Sequence, residues 1–219
     1  MLEPRTFLTI EGGEGAGKST LIDGLTRILS AKGIRVMTTR EPGGIPIAEQ
    51  IRGVILDQGN TAMEARTEAL LYAAARRQHL TEKIIPALAD GMFVICDRFV
   101  DSSLAYQGHA RGLGMDEIWS INRFAVEDVM PELTLWLDIS PEAGLKRIYD
   151  AKNREINRLD MEGLSFHHLV REGYTKLHAQ NPGRIVRINA ETSPEALLND
   201  SISIIAQRFK GLFANDVKL

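Results

Sequence analysis

Eight residues near the N-terminus, Gly12-Gly13-Glu14-Gly15-Ala16-Gly17-Lys18-Ser19, follow the pattern G-x-x-x-x-G-K-[ST]. The pattern carries meaning only when a strand leads into it and a helix leads out. Both flanks are present. The run Thr6–Ile10 reads as a strand, and Leu21, Ile22, Leu25, Ile28 and Leu29 form one apolar stripe at helical spacing. Glycines let the backbone close around phosphate oxygens with successive N–H groups pointing inward. The helix N-terminus adds a partial positive charge at the same place. Lys18 is expected to reach the β- and γ-phosphates of a nucleoside triphosphate, and the Ser19 hydroxyl to ligate Mg²⁺. With Thr20 on the first helical turn, these residues form the candidate donor site. The loop alone leaves switches, motors and assembly ATPases open beside kinases.

The rest of the chain repeats the strand–helix alternation. Short apolar runs at Ile34–Thr39, Met92–Cys96, Leu133–Asp138 and Arg184–Asn189 read as buried strands, introduced by turn signals such as Lys32-Gly33 and Pro182-Gly183. Helical patterns occupy Met63–Asp90, bent near Pro86, then Asp116–Val126, Pro141–Lys152, Ser165–Ala179 and Pro194–Phe213. Five strands alternating with helices predict an α/β fold, a parallel sheet with helices on both faces. At 219 residues, with no repeat and no long linker, one domain over 1–219 is expected.

A formal net charge of −3 argues against a chain that coats nucleic acid or an anionic membrane. Anion binding must then come from local clusters of Arg and Lys. The single cysteine, Cys96, lies in an apolar run and reads as a buried small residue in a reducing compartment. No apolar stretch of signal-peptide or membrane-span length occurs, so a cytoplasmic location is expected.

Several residues point to an acceptor. Asp97 and Arg98 close the third strand, beside the crevice where α/β proteins bind ligands. Asp97 is suited to holding Mg²⁺ through water, and Arg98 to gripping a phosphate. Arg40-Glu41-Pro42-Gly43-Gly44 ends the second strand, with Arg52 in a helical pattern just beyond. Tyr72 and Arg76 are four apart in a helix and can face one pocket. A ring and a guanidinium so placed suit a nucleobase, by stacking and by hydrogen bonds to carbonyl edges. Ser102, Ser103, Tyr106 and Gln107 add polar groups after Arg98, and residues 146–158 form a basic run containing Arg147, Arg154 and Arg158.

Together these segments resemble the thymidylate kinases, the nucleoside monophosphate kinases that phosphorylate dTMP with ATP, and their bacterial members in particular. The likeness runs nearly end to end: E-G-x-E-G-A-G-K-S at 11–19, T-R-E-P-G-G at 39–44, Y-A-A-A-R at 72–76, D-R-F at 97–99, S-S-L-A-Y-Q-G at 102–108 and N-R-L-D at 157–160. R-E-P-G-G and S-S-x-A-Y-Q-G are far more specific to the family than the glycine loop.

The resemblance implies a role for each matching position. Tyr72 stacks on thymine, where many relatives carry Phe. Arg76, Gln107 and nearby Ser103 meet the base edge, with Glu41, Pro42 and Ser102 completing the acceptor site. Tyr106 lies under the deoxyribose and disfavours a 2′-hydroxyl. Arg52 and Arg98 hold the acceptor phosphate, and Glu14 lies near the 3′-hydroxyl. Residues of about 146–161 correspond to a mobile lid, and Arg147 with 189–194 to adenine contacts. One subgroup places its catalytic arginine in the glycine loop. This chain has Gly13-Glu14 there and resembles the subgroup whose lid supplies it, a role that falls to Arg154. The expected cofactors and partners are ATP, Mg²⁺, dTMP and a second copy of the chain, with no nucleic acid and no membrane.

Overall fold

The structure, a computed structural model, describes residues 6–150, 158–159 and 161–211. Five strands form its sheet: β1 (Phe7–Gly12), β2 (Val36–Arg40), β3 (Phe93–Asp97), β4 (Leu133–Asp138) and β5 (Ile185–Asn189). All neighbours pair parallel, in the order β2-β3-β1-β4-β5, as the alternation predicts. The central β1 is buried throughout, and it runs two residues past the apolar stretch because Gly12 still pairs with Leu137.

Alternate residues of a strand face opposite sides of the sheet. Leu8 and Ile10 join Ile95, Leu135 and Leu137 under α1 (Lys18–Ala31) and α9 (Pro194–Arg208). Phe7 joins Cys96, Phe99, Trp136 and Tyr174 on the other face. Thr9 and Glu11 share that second face with Phe7. There the Thr9 and Thr134 hydroxyls hydrogen-bond at 2.7 Å.

The second face is covered by α3 (Ala65–His79), α6 (Met115–Val126) and α8 (Leu164–Gln180), with α2 (Pro46–Leu56) packed outside α3. The bend expected near Pro86 is a π-helical turn, Leu80–Ile84, between α3 and the short α4 (Ile85–Ala89). Proline has no N–H to continue the α-helical ladder, and the wider turn absorbs that gap. After β3 the chain enters a short helix, α5 (Val100–Ser103), and a second π segment, Leu104–Ala110, where no helix was expected. This segment packs closely on α8. A Cβ at Gly173 would lie 3.0 Å from the Ala105 Cα.

The expected helix Pro194–Phe213 ends at Arg208, and α7 (Pro141–Asp150) is described to Asp150. Arg154 lies outside the described residues.

Candidate active site

The C-terminal tips of β1, β2 and β3 open into a cleft of about 470 Å³. It is lined by Glu14, Gly15, Ala16, Gly17, Lys18, Ser19 and Thr20 on one side. Glu41, Pro42, Arg52, Tyr72, Arg76, Asp97, Arg98, Ser102, Ser103, Tyr106 and Gln107 line the other, with Arg147 also present. Of the expected site residues that the structure describes, this cavity gathers all but Gly12, Gly13 and the 189–194 segment. Gly12 is the last residue of β1, and the Gly12 and Gly13 carbonyls accept from Lys18 Nζ at 3.2 and 3.0 Å. Arg40 of the R-E-P-G-G segment also lines it, and Leu56, Ile148 and Leu159, to which the sequence pattern assigns no role, complete the wall.

On the loop side, α1 begins at Gly17, in the left-handed conformation at φ 90°, with no side chain capping the helix. Its first N–H groups are thus left for a ligand. Gly15 is required by contact. At φ 69°, a Cβ there would stand 2.1 Å from the Gly144 carbonyl oxygen, where α7 crosses the loop. This crossing brings Arg147 over the loop, donating to Gly15 O at 3.4 Å and Ala190 O at 3.0 Å. Lys18 is buried; desolvation, then the charge of Arg98, lowers its pKa below the ordinary lysine value. Among the described residues Asp97 Oδ1 is buried without a hydrogen-bond partner, in a site that holds Lys18 and Ser19. An orphaned carboxylate oxygen beside a loop hydroxyl fits a hydrated Mg²⁺.

Across the cleft, Arg98 sits at φ 69°, a left-handed conformation rare for a side chain of its size. Its backbone N–H bonds Ile10 O at 3.0 Å, and the next amide, Phe99 N–H, donates to Glu11 Oε1 at 2.7 Å. This fixed turn sends the guanidinium back to the glycine loop. Nη1 donates to Gly12 O at 2.9 Å and Tyr106 Oη at 3.2 Å, and Nη2 to Glu14 Oε1 at 2.5 Å. Tyr106 Oη donates to the same Glu14 oxygen at 2.8 Å. Burial alone would lower the Arg98 pKa, but Glu14 and its other neighbours raise it well above the usual value.

The base-side residues are also held in place. Arg76 is 2% exposed; its Nε donates to Glu41 at 2.7 Å, Nη1 to Ser103 Oγ at 3.1 Å and to Asn122, and Nη2 to Phe99 O at 2.9 Å. Glu41 accepts from Arg76 with one oxygen and lies 3.0 Å from His79 Nδ1 with the other. It holds Arg76 in place. Tyr72 is buried, and desolvation raises its phenol pKa above the ordinary value. Arg52 donates to Pro42 O at 3.0 Å across the cleft mouth.

Glu11 is a buried neighbour of the site that the apolar pattern hid. Besides Phe99 N–H, its carboxylate accepts from the Ser102 hydroxyl and from Tyr174 Oη at 2.8 Å. Desolvation, then the charge of Asp101, pushes its pKa up to about 7.

The chain matches the family profile "Thymidylate kinase" from residue 10 to residue 201. The chain belongs to the thymidylate kinase family. Among its relatives, the thymidylate kinase of Bacillus velezensis is 57% identical over 204 residues, 93% of this chain and 96% of the relative. That of Oceanobacillus iheyensis is 59% identical over 91% of this chain and 89% of its own length. A crystal structure of thymidylate kinase from Ehrlichia chaffeensis superposes with a TM-score of 0.73 at 29% identity, covering 91% of this chain and 97% of that one. The family's fold, a parallel sheet with a phosphate-binding loop at its centre, is the one described above.

Proposed function

We propose that the cleft holds two nucleotides end to end and carries out its family's reaction, transfer of the γ-phosphoryl group of ATP to dTMP, giving dTDP and ADP. The observation that carries the reading is Arg98, bonded at once to Gly12 and Glu14 of the loop and to Tyr106 of the opposite wall. A phosphate placed at this seam meets the Arg98 guanidinium from one wall and the N–H groups that open α1 from the other.

The triphosphate lies on the loop, with Lys18 and the first N–H groups of α1 on its phosphates. Arg147 and residues 189–194 face the adenine. On the acceptor side Tyr72 stacks on thymine, and Arg76, Ser103 and Gln107 meet its edge. Tyr106 lies under the deoxyribose, Glu14 near its 3′-hydroxyl, and Arg52 and Arg98 on the phosphate. Glu41, Pro42 and Ser102 hold these groups in register. Ser19 and Asp97 hold Mg²⁺, which neutralises charge on the phosphates when bound.

The acceptor is a phosphate monoester with a second pKa near ~6, so its oxygen is largely ionised at neutral pH. That oxygen bonds the γ-phosphorus while the bond to the β–γ bridging oxygen breaks, and ADP departs with the electron pair. No general base is needed. Catalysis consists of alignment and charge neutralisation by Lys18, Arg52 and Arg98, with Arg154 adding a further positive charge.

The remaining features complete the reading. One domain spans 1–219 with a lid at about 146–161. Among the described residues no helix is long and apolar enough to cross a membrane, and a cytoplasmic site fits the supply of nucleotides. A homodimer covers apolar side chains left in water on adjoining helices, Leu70 of α3 (56% exposed) and Phe124 of α6 (88% exposed).

A coupled assay offering dTMP, dUMP, UMP and thymidine as acceptors tests the reading. ADP formation stimulated by dTMP far above the other three supports it. Slow ATP hydrolysis that no acceptor stimulates would make the chain a nucleotide switch instead.

A further inference from the structure

Gln107 lies on the second π segment, 2% exposed, and lines the cleft in company with Arg76. Its Nε2 donates to Glu68 Oε1 at 2.8 Å. Glu68 is itself buried on α3, held by Arg158 Nη2 and by Arg111 Nε at 3.5 Å. Burial alone would raise its pKa, but the hydrogen bonds from Arg158 and Gln107 outweigh that and hold the carboxyl below its ordinary value. An ionised carboxylate only accepts, so the end of the amide that faces it must be the nitrogen. The Gln107 carbonyl oxygen is turned away from Glu68, and among the described residues nothing donates to it. Arg76, by contrast, brings only donors.

We infer that Glu68 is a positioning residue that fixes the polarity of the Gln107 amide, so that the cleft presents a base with one donor, Arg76, and one acceptor, Gln107 Oε1. This inference rests on the reading above that both residues face the base. A pyrimidine with a C4 carbonyl and an N3–H group matches that pair, carbonyl to Arg76 and N3–H to Gln107. Cytosine carries an amino group at C4 and a bare N3. It would set donor against donor and acceptor against acceptor in a buried place, the kind of mismatch that binding sites reject most strongly. Glu68 is thus a determinant of base class that acts without touching the base.

The two arginines have a part in this. A protonated Glu68 could donate to the amide oxygen and turn Gln107 over. Arg158, which also donates to Ile55 O at 3.0 Å, keeps the carboxylate charged. Arg111, itself bonded to Glu162 at 2.6 Å, does so from another side.

The test is kcat/KM for dTMP and dCMP in the wild type, Glu68→Gln, Gln107→Ala and the double variant. A neutral amide at position 68 both donates and accepts, so Gln107 can turn. Glu68→Gln is expected to lower the dTMP-over-dCMP ratio roughly tenfold or more, the scale of one hydrogen bond, and to raise KM for dTMP more than it lowers kcat. In the Gln107→Ala background the same substitution should leave the ratio unchanged. A Glu68 that only holds the fold would lower both acceptors together with the ratio intact, and that result overturns the inference. So does an equal change of ratio with and without Gln107. If Gln107→Ala alone changes neither KM for dTMP nor the ratio, the base-edge reading itself fails, and the inference falls with it. Should Glu68→Gln not fold, a neutron structure of the wild type with dTMP decides. The deuterated amide facing Glu68 supports the assignment, and the carbonyl facing it overturns it.

Discussion

Arg98 Nη2 lies 2.5 Å from Glu14 Oε1, an ion pair that ties the tip of β3 to the middle of the glycine loop. The two residues are 84 positions apart in the chain, and both side chains are largely buried. In the proposed reaction a cation so placed stands where two phosphate groups of like charge approach each other.

Removing it should therefore harm the chemical step. Arg98→Ala is expected to lower turnover of dTMP by roughly 10²-fold or more, the usual effect of losing a charge-stabilising or aligning group at a reacting centre. Steady-state kinetics with both substrates varied check this. Near-normal kcat would remove Arg98 from the mechanism.

Asp97 should act through the metal. Asp97→Asn keeps the shape but removes the charge on the orphaned oxygen, and the Mg²⁺ concentration for half-maximal rate should rise by roughly 10- to 100-fold. Titrating activity with Mg²⁺ measures it. An unchanged midpoint would place the ion elsewhere.

Glu11 makes stability depend on pH. Its carboxyl is raised from 4.5 to about 7 by burial and by Asp101. The folded protein thus holds this proton more tightly than the unfolded chain does. The stabilisation is complete below about 4.5 and is lost as the pH rises through about 7. Glu11→Gln, which cannot ionise, should gain on the wild type between pH 5 and 8 by up to about 3 kcal/mol. Denaturant unfolding of both proteins across that range tests the sign. A stability difference that does not move with pH would mean that Glu11 titrates as an ordinary carboxylate.

Leu70 and Phe124 are expected to lie in a dimer contact. Replacing both with Glu should convert a dimer to a monomer in sedimentation, because an interface core does not hold unpaired carboxylates. A wild type that sediments as a monomer would contradict the proposed assembly.

The parts of the fold that were legible in the sequence are those written in local pattern. β4 is observed with the limits its apolar run predicts, and the loop lies between the strand and helix that its motif requires. β1 is longer than its apolar run because Glu11, a carboxylate, is fully buried there by partners far along the chain, Phe99, Ser102 and Tyr174. The helical stretch from Val100 to Ala110 was not legible for a related reason. Ser102, Ser103 and Gln107 break an apolar period, yet they are inside the protein because Glu11, Arg76 and Glu68 receive them.

The site shows the same division. Lys18 was legible from the glycine-loop motif, and Asp97, Arg98, Tyr72 and Arg76 because each stands at a strand tip or at helical spacing. The contacts that hold them were not. Glu41 and Asn122 orient Arg76, and Glu68 orients Gln107, across separations of 35, 46 and 39 residues. No linear pattern records such pairings; only the folded chain brings them together.

The most direct measurement is a crystal structure with dTMP and a non-hydrolysable ATP analogue bound together. Triphosphate is expected on the loop residues Gly15 to Thr20 and thymine against Tyr72. The dTMP phosphate should lie within hydrogen-bond reach of both Arg52 and Arg98. A second nucleotide bound away from these three side chains, or no second nucleotide at all, would contradict it.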